Sequence, residues 1–416
     1  MYHYDMPPSE SIKIEQVELL ILIGALVAVV ARRLKIPYTL GLVVAGIAVS
    51  FLHINFEVSF SKELLFNVLL PPLIFEAALY IRWKELRKDL PVIVVYATVG
   101  VVLSAAVTAG IMHFTAGWVW PAAILFGVLI AATDPVSVIA TFKEARVEGR
   151  LRLLVEAESL FNDSTAAVAF AVALAFAMGE SLSVGSSALT MLMSVGGGIL
   201  SGLLFGGLAL LVIARTEDDL VELAMTTVAA FGSFWLAEHF HLSGILAATA
   251  AGLLVGNMTA FELITVRGEE SISHFWDFAA FVVNSIIFIL LGINVAYQDF
   301  ARSGLLILIG ILAVVVSRAI AIYPCSYLFS WSSLKIERPH QHIMFWGGLR
   351  GALALALALG IPDTLPYRHE ILTVTFGVIA FSVFVQGLTI TPLLRRLGQI
   401  PSSVSEPSPR EETSSS

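Results

Sequence analysis

The stretch ESLFNDSTAAVAF, Glu158 to Phe170, sets a glutamate, an asparagine and an aspartate in a segment otherwise apolar enough to span a membrane. An acid in such a place costs several kcal/mol unless it is paired or solvated. On a helix turning 100° per residue, Ser159 and Asp163 are i, i+4 neighbours on one face. Glu158 and Asn162 form a second such pair, one position around. One face therefore offers a carboxylate and a hydroxyl, the next a glutamate and an amide. Oxygens of this kind suit a hard cation, and a desolvated carboxylate can hold a proton near neutral pH. The competing reading is a polar helix start beside a short loop. It stays open for Glu156, whereas Asp163 is followed by mostly Ala, Val and Phe and points to function.

The surroundings fit a membrane. Of 416 residues, 57% are hydrophobic and 13% charged, with a mean hydropathy of +0.88. Soluble domains carry about 25% charged residues, and apolar runs near 20 residues recur along the chain, so an all-α polytopic membrane protein is expected. The single cysteine, Cys325, excludes a disulfide framework and a Cys-based metal cluster. The net charge of −8 comes with no basic stripe to track phosphates, which argues against nucleic acid as a partner. No cleavable signal peptide is evident, because the basic cluster Arg32, Arg33, Lys35 follows the first apolar run.

Thirteen spans are expected, near 17–31, 38–53, 62–81, 91–114, 119–141, 151–178, 190–213, 220–238, 243–257, 271–297, 303–329, 341–360 and 370–394. The first and ninth are short for a bilayer. With the N-terminus outside, eighteen of the 24 Lys and Arg fall in the inner loops and tail. Only Lys13, Lys62, Arg302 and Arg368 fall outside, and Arg318 and Arg350 lie within spans. That asymmetry predicts an extracellular N-terminus (1–16) and a cytoplasmic C-terminus. The Ser-, Pro- and Glu-rich tail, 397–416, reads as disordered.

Two spans are interrupted. Span 5 contains ATDPVSV, where Pro135 removes a backbone donor, and span 12 contains GGLRGALALALALG around Arg350. They hold fifth place in spans 1–6 and in spans 8–13, the placement expected of an inverted-repeat transporter with its site at the two discontinuous helices. Asp134 would neutralise a half-helix N-terminus, the Thr133 carbonyl could face a cation, and Arg350 would sit near carbonyl ends. Arg318, in VVVSRAIAIY, needs a carboxylate partner, for which Glu158 is the candidate. Glu76, in LLPPLIFEAALY, either faces the same cavity or sits at the inner interface. His239 and His241, and His340 and His342, read as loop histidines, and the glycines at 196–198 as helix contacts. No P-loop, HExxH or GxSxG occurs, so ATP-driven and hydrolytic readings lack their parts, and no cofactor is expected.

The motifs ATDPVSV, ESLFNDS, LLPPLIFEAAL and GGLRGALALAL together resemble the NhaP-type sodium/proton antiporters, prokaryotic relatives of the animal sodium/proton exchangers. Four motifs in order between residues 69 and 357 cover essentially the whole membrane region. The resemblance implies two inverted six-helix repeats, a core bundle (91–178 and 303–396) and a dimerisation bundle (17–82 and 190–297). It also implies a homodimer in the plasma membrane. It places the ion at Asp163, Ser159, the carbonyl of Thr133, and Glu76, with Asn162 beside it, and it pairs Glu158 with Arg318. A long cytoplasmic regulatory tail, present in animal members, is not expected here. The implied activity is exchange of Na⁺ or Li⁺ for H⁺, one for one and electroneutral, because Asn162 carries no titrating proton where an Asp would. The alternatives are K⁺/H⁺ antiport, a sodium-coupled solute symporter and a cation channel.

Overall fold

The computed structural model of the protein describes residues 14–34, 36–51, 62–145, 147–180, 184–216, 218–257, 266–298 and 300–400. Most of the expected extracellular segment (1–13) and of the expected disordered tail (from 401) lies outside them. Among the described residues every regular element is a helix. Ile14–Leu34 (α1) and Tyr38–Phe51 (α2) lead to Leu65–Leu79 (α3), Trp83–Ala116 (α4), Trp120–Leu129 (α5) and Val136–Ala145 (α6). Arg150–Ala177 (α7), Val184–Ile213 (α8), Asp219–His239 (α9) and Gly244–Gly256 (α10) come next. Val266–Ala296 (α11), Phe300–Leu328 (α12), Arg338–Trp346 (α13), Ala352–Leu359 (α14) and Arg368–Arg396 (α15) follow.

Seven of these, α4, α7, α8, α9, α11, α12 and α15, are long and apolar enough to cross a bilayer. Four more, α2, α3, α5 and α10, are apolar but shorter. The largest boundary difference from the sequence reading is at the start of α4. α4 begins at Trp83, not near 91, because the charged turn WKELRKDL is held by contacts that hydropathy does not see. Asp89 there is buried and accepts from Arg150 at 2.7 and 3.0 Å, while Arg150 also donates to the Leu334 and Lys335 carbonyls, both at 2.8 Å.

Helix contacts fall into two sets. α8 lies against α9 and α10, α10 against α3, and α11 against α1 and α2. In the other set α4 lies against α5 and α12, α12 against α15, and α5 against α7. Within the first, α2 and α11 meet so closely at Gly46 and Gly292 that a methyl on either would strike the opposite backbone. Small residues permit such approach where lipid supplies no hydrophobic drive between helices.

The two interrupted segments cross each other. α5 stops at Leu129 and α6 starts at Val136, with Pro135 unable to donate between them. α13 stops at Trp346 and α14 starts at Ala352, across the glycine-rich GGLRG. The Asp134 amide donates to the Leu349 carbonyl at 2.8 Å, tying one break to the other.

Candidate ion site

A helix that stops inside a protein leaves its last carbonyls and first amides without helical partners, with partial negative and positive charge respectively. Here four such ends converge, and each is met by a side chain of opposite sign. Arg350, buried, donates from Nη1 to the Ala131 and Ala132 carbonyls at 3.0 and 2.9 Å, just past the end of α5. Arg318 donates to the Met344 carbonyl, near the end of α13, at 2.9 Å from Nη2 and 3.3 Å from Nε. At the positive ends, Asp134 accepts from the Val136 amide at 3.1 Å and the Ala352 amide at 3.4 Å, the first residues of α6 and α14. Gly351 is required here because a methyl would land on the Asp134 carboxylate.

The acids of α7 divide between this crossing and a cavity. Glu158 binds Arg318 in a two-pronged pair, Oε1 to Nη1 at 2.8 Å and Oε2 to Nη2 at 2.9 Å, the geometry that favours arginine over lysine. Asn162, fully buried, donates from Nδ2 to Glu158 Oε1 at 2.8 Å and to Thr133 Oγ1 at 2.7 Å, and accepts from the Thr133 amide at 3.2 Å. Its amide is thus committed to the broken segment, and it does not line the cavity. Ser159 donates its hydroxyl to the Thr133 carbonyl.

The cavity, about 290 Å³, has Asp163, Ser159, Asp134 and Glu76 in its wall. Asp163 Oδ1 is buried and has no hydrogen-bond partner. An orphaned carboxylate oxygen in a cavity carries the full desolvation cost unless something positive comes to it. Glu76 faces the same space, from α3. Thr133 lies one layer behind, in contact through Ser159. A second cleft, about 350 Å³, is lined by Arg82, Glu85, Glu148, Arg152 and Glu269 on the side of the basic loops, and shares Tyr80 and Glu156 with the first. Glu156 itself pairs with Arg152 at 2.8 Å.

Sequence reasoning missed three cavity residues. Asp277 and Asn284 stand on α11 with Ala280 and Phe281 between them, an i, i+3, i+4, i+7 face turned to the cavity. That periodicity, with an acid inside an apolar span, was legible. Asn284 Oδ1 is, like Asp163 Oδ1, buried without a partner. Lys143, read as an ordinary inner-loop charge, reaches both Glu76 at 3.8 Å and Asp277 at 3.4 Å. Among the described residues no group of three His, Cys, Asp or Glu side chains gathers as a resident metal centre.

The family model described as "Sodium/hydrogen exchanger, transmembrane" matches residues 19–396. The Na(+)/H(+) antiporter ApNhaP of Aphanothece halophytica is 39% identical, over 88% of this chain and 70% of its own. The Na(+)/H(+) antiporter NhaH of Halobacillus dabanensis is 31% identical, over 92% of this chain and 98% of its own. Among solved structures, the sodium proton antiporter MjNhaP1 of Methanocaldococcus jannaschii superposes with a TM-score of 0.75 at 21% identity, over 92% of this chain and 98% of that one, and shows the same fold.

Proposed function

The chain belongs to the sodium/hydrogen exchanger family of multi-pass membrane cation/proton antiporters, and from that premise we propose that it exchanges Na⁺ or Li⁺ for H⁺, one for one, by letting the two compete for Asp163. The observation that carries this reading is the unpartnered Asp163 oxygen in a cavity walled also by Ser159 and Glu76. Charge accounting supports the stoichiometry. Glu158 cancels Arg318, and Asp134 and Arg350 offset one another across the crossed helix ends. Within the buried cluster at the helix ends Asp163 is the charge that remains, and one proton or one monovalent cation neutralises it; Glu76, on α3, is met instead by Lys143 at 3.8 Å. A neutral core can cross a low-dielectric barrier, whereas an empty, ionised Asp163 resists that passage.

In this reading Asp163, Ser159 and Glu76 supply oxygens directly. Thr133 supplies its carbonyl once Ser159 turns to the ion, and Asn162 braces the broken segment. Asp134, Glu158, Arg318 and Arg350 hold the helix ends. Residues 91–178 and 303–396 form the moving core, and 17–82 and 190–297 the dimerising scaffold. Thirteen spans make two inverted repeats, with the N-terminus outside the plasma membrane. In this reading the cavity opens to the cytoplasm, which is supported by the cleft beside Tyr80 and Glu156 on the side of the basic loops.

The test is a pH-jump assay in proteoliposomes with each alkali cation in turn. Sodium- or lithium-driven proton flux is expected, lost in Asp163→Asn while the variant keeps its monodisperse elution and thermal melt. Full flux in Asp163→Asn would remove that residue from its role. Potassium as the preferred ion would replace the substrate. On a solid-supported membrane, a steady current reversing with membrane potential would overturn electroneutral exchange.

A further inference from the structure

Lys143 stands on the last turn of α6, and its ammonium lies between two carboxylates of the facing helices. It is 3.8 Å from Glu76 Oε1 on α3 and 3.4 Å from Asp277 Oδ1 on α11, and 5.0 Å from the centroid of the Tyr80 ring. All four side chains wall the cavity that holds Asp163. The acceptors differ in exposure: the Glu76 side chain is 17% exposed and that of Asp277 is 49%. The ammonium therefore bridges an inner acid and an outer one. It also joins the segment following the first break to α3 and α11.

We propose that Lys143 is a tethered counter-cation that competes with the transported ion for Glu76, with Asp277 as its alternative partner, and thereby sets the cation affinity of the inward-open site. The inference rests on the exchange reading above, with Glu76 as an ion ligand. While the site is empty, the ammonium compensates the Glu76 carboxylate, which is otherwise poorly solvated. A cation arriving at Glu76 meets a like charge 3.8 Å from its ligand, and the ammonium withdraws to Asp277, already its nearer partner. Return of the ammonium helps release the ion. An exposed interhelical ion pair with only a structural duty would act on stability and leave affinity alone.

The two carboxylates make the test directional. In proteoliposomes, Lys143→Gln removes the competitor, and the apparent KM for sodium is expected to fall by about tenfold. Asp277→Asn deprives the ammonium of its outer partner and presses it onto Glu76, so KM should rise by about threefold or more. In the Lys143→Gln background the same Asp277→Asn change should shift KM by less than about twofold, since no ammonium remains to redirect. A KM for Lys143→Gln equal to or above the parent's overturns the proposal. So does an Asp277→Asn effect of the same size in both backgrounds. So does a loss of Vmax and thermal stability in Lys143→Gln with KM unmoved. Parent vesicles without sodium-driven proton flux would instead overturn the exchange reading itself.

Discussion

Replacing Glu158 by glutamine tests the most heavily bonded group of the site. The parent carboxylate takes two guanidinium donors at 2.8 and 2.9 Å and the Asn162 amide at 2.8 Å. Glutamine keeps one acceptor and turns an NH₂ toward groups that all donate. Arg318, whose side chain is 8% exposed, keeps the Met344 carbonyl and at most that one neutral acceptor, with no opposite charge against its own. Two unit charges near 4 Å at an effective dielectric of 20 attract by about 4 kcal/mol. Breaking one side of a buried pair costs about 3–5 kcal/mol. Scaled by the unfolding entropy of a chain this long, the melting temperature should drop by about 3–6 °C. The seven tryptophans supply the signal for a fluorescence melt in detergent. Adding Arg318→Met removes the stranded charge and should regain part of the loss, though not the part owed to the uncapped Met344 carbonyl. A melt within about 1 °C of the parent for Glu158→Gln would refute the account of a buried, mutually dependent pair.

Two further substitutions read the crossing of the broken helices. Asn162→Asp replaces a donor 2.8 Å from Glu158 Oε1 by a second carboxylate oxygen, and a loss of about 2–4 kcal/mol in the same melt is expected; parental stability would show that the amide is not the clamp. Gly351→Ala drives a methyl into the Asp134 carboxylate, with a cost of about 1–3 kcal/mol and a fall in Vmax; unchanged exchange would mean that Asp134 need not cap both helix ends.

Much of this site could be read from the chain because membrane interiors make polar residues conspicuous. Pro135 and the glycines around Arg350 announced interruptions by local chemistry, and the 100° turn of a helix was enough to put Ser159 and Asp163 on a different face from Glu158 and Asn162. What periodicity left open was which face meets the cavity; the crossed breaks decide it by claiming Glu158 and Asn162 for Arg318 and Thr133. Lys143 escaped because its meaning depends on two acids 67 and 134 positions away, one before it and one after, brought together only by tertiary contact. The start of α4 escaped for the opposite reason: a charged turn reads as a loop, whereas Arg150 covers the buried Asp89 there.

The division of labour along α7 explains why one helix can carry both a fixed and a variable charge. Glu158 has three charge-assisted or amide donors and no room to exchange them, so its charge belongs to the architecture. Asp163, five residues on, has an oxygen that nothing in the protein satisfies. The difference lies in which element faces each side chain, not in residue type. A carboxylate opposite an arginine becomes a strut, and in the proposed exchange one that faces a cavity takes its counter-charge from solution. Substitutions that harm stability should therefore cluster at Glu158, Arg318, Asp134 and Arg350, while those that harm exchange with the fold intact should cluster at Asp163, Ser159 and Glu76. The same reasoning puts Lys143 in a third class, because its charge is fixed to the chain but its partner is not.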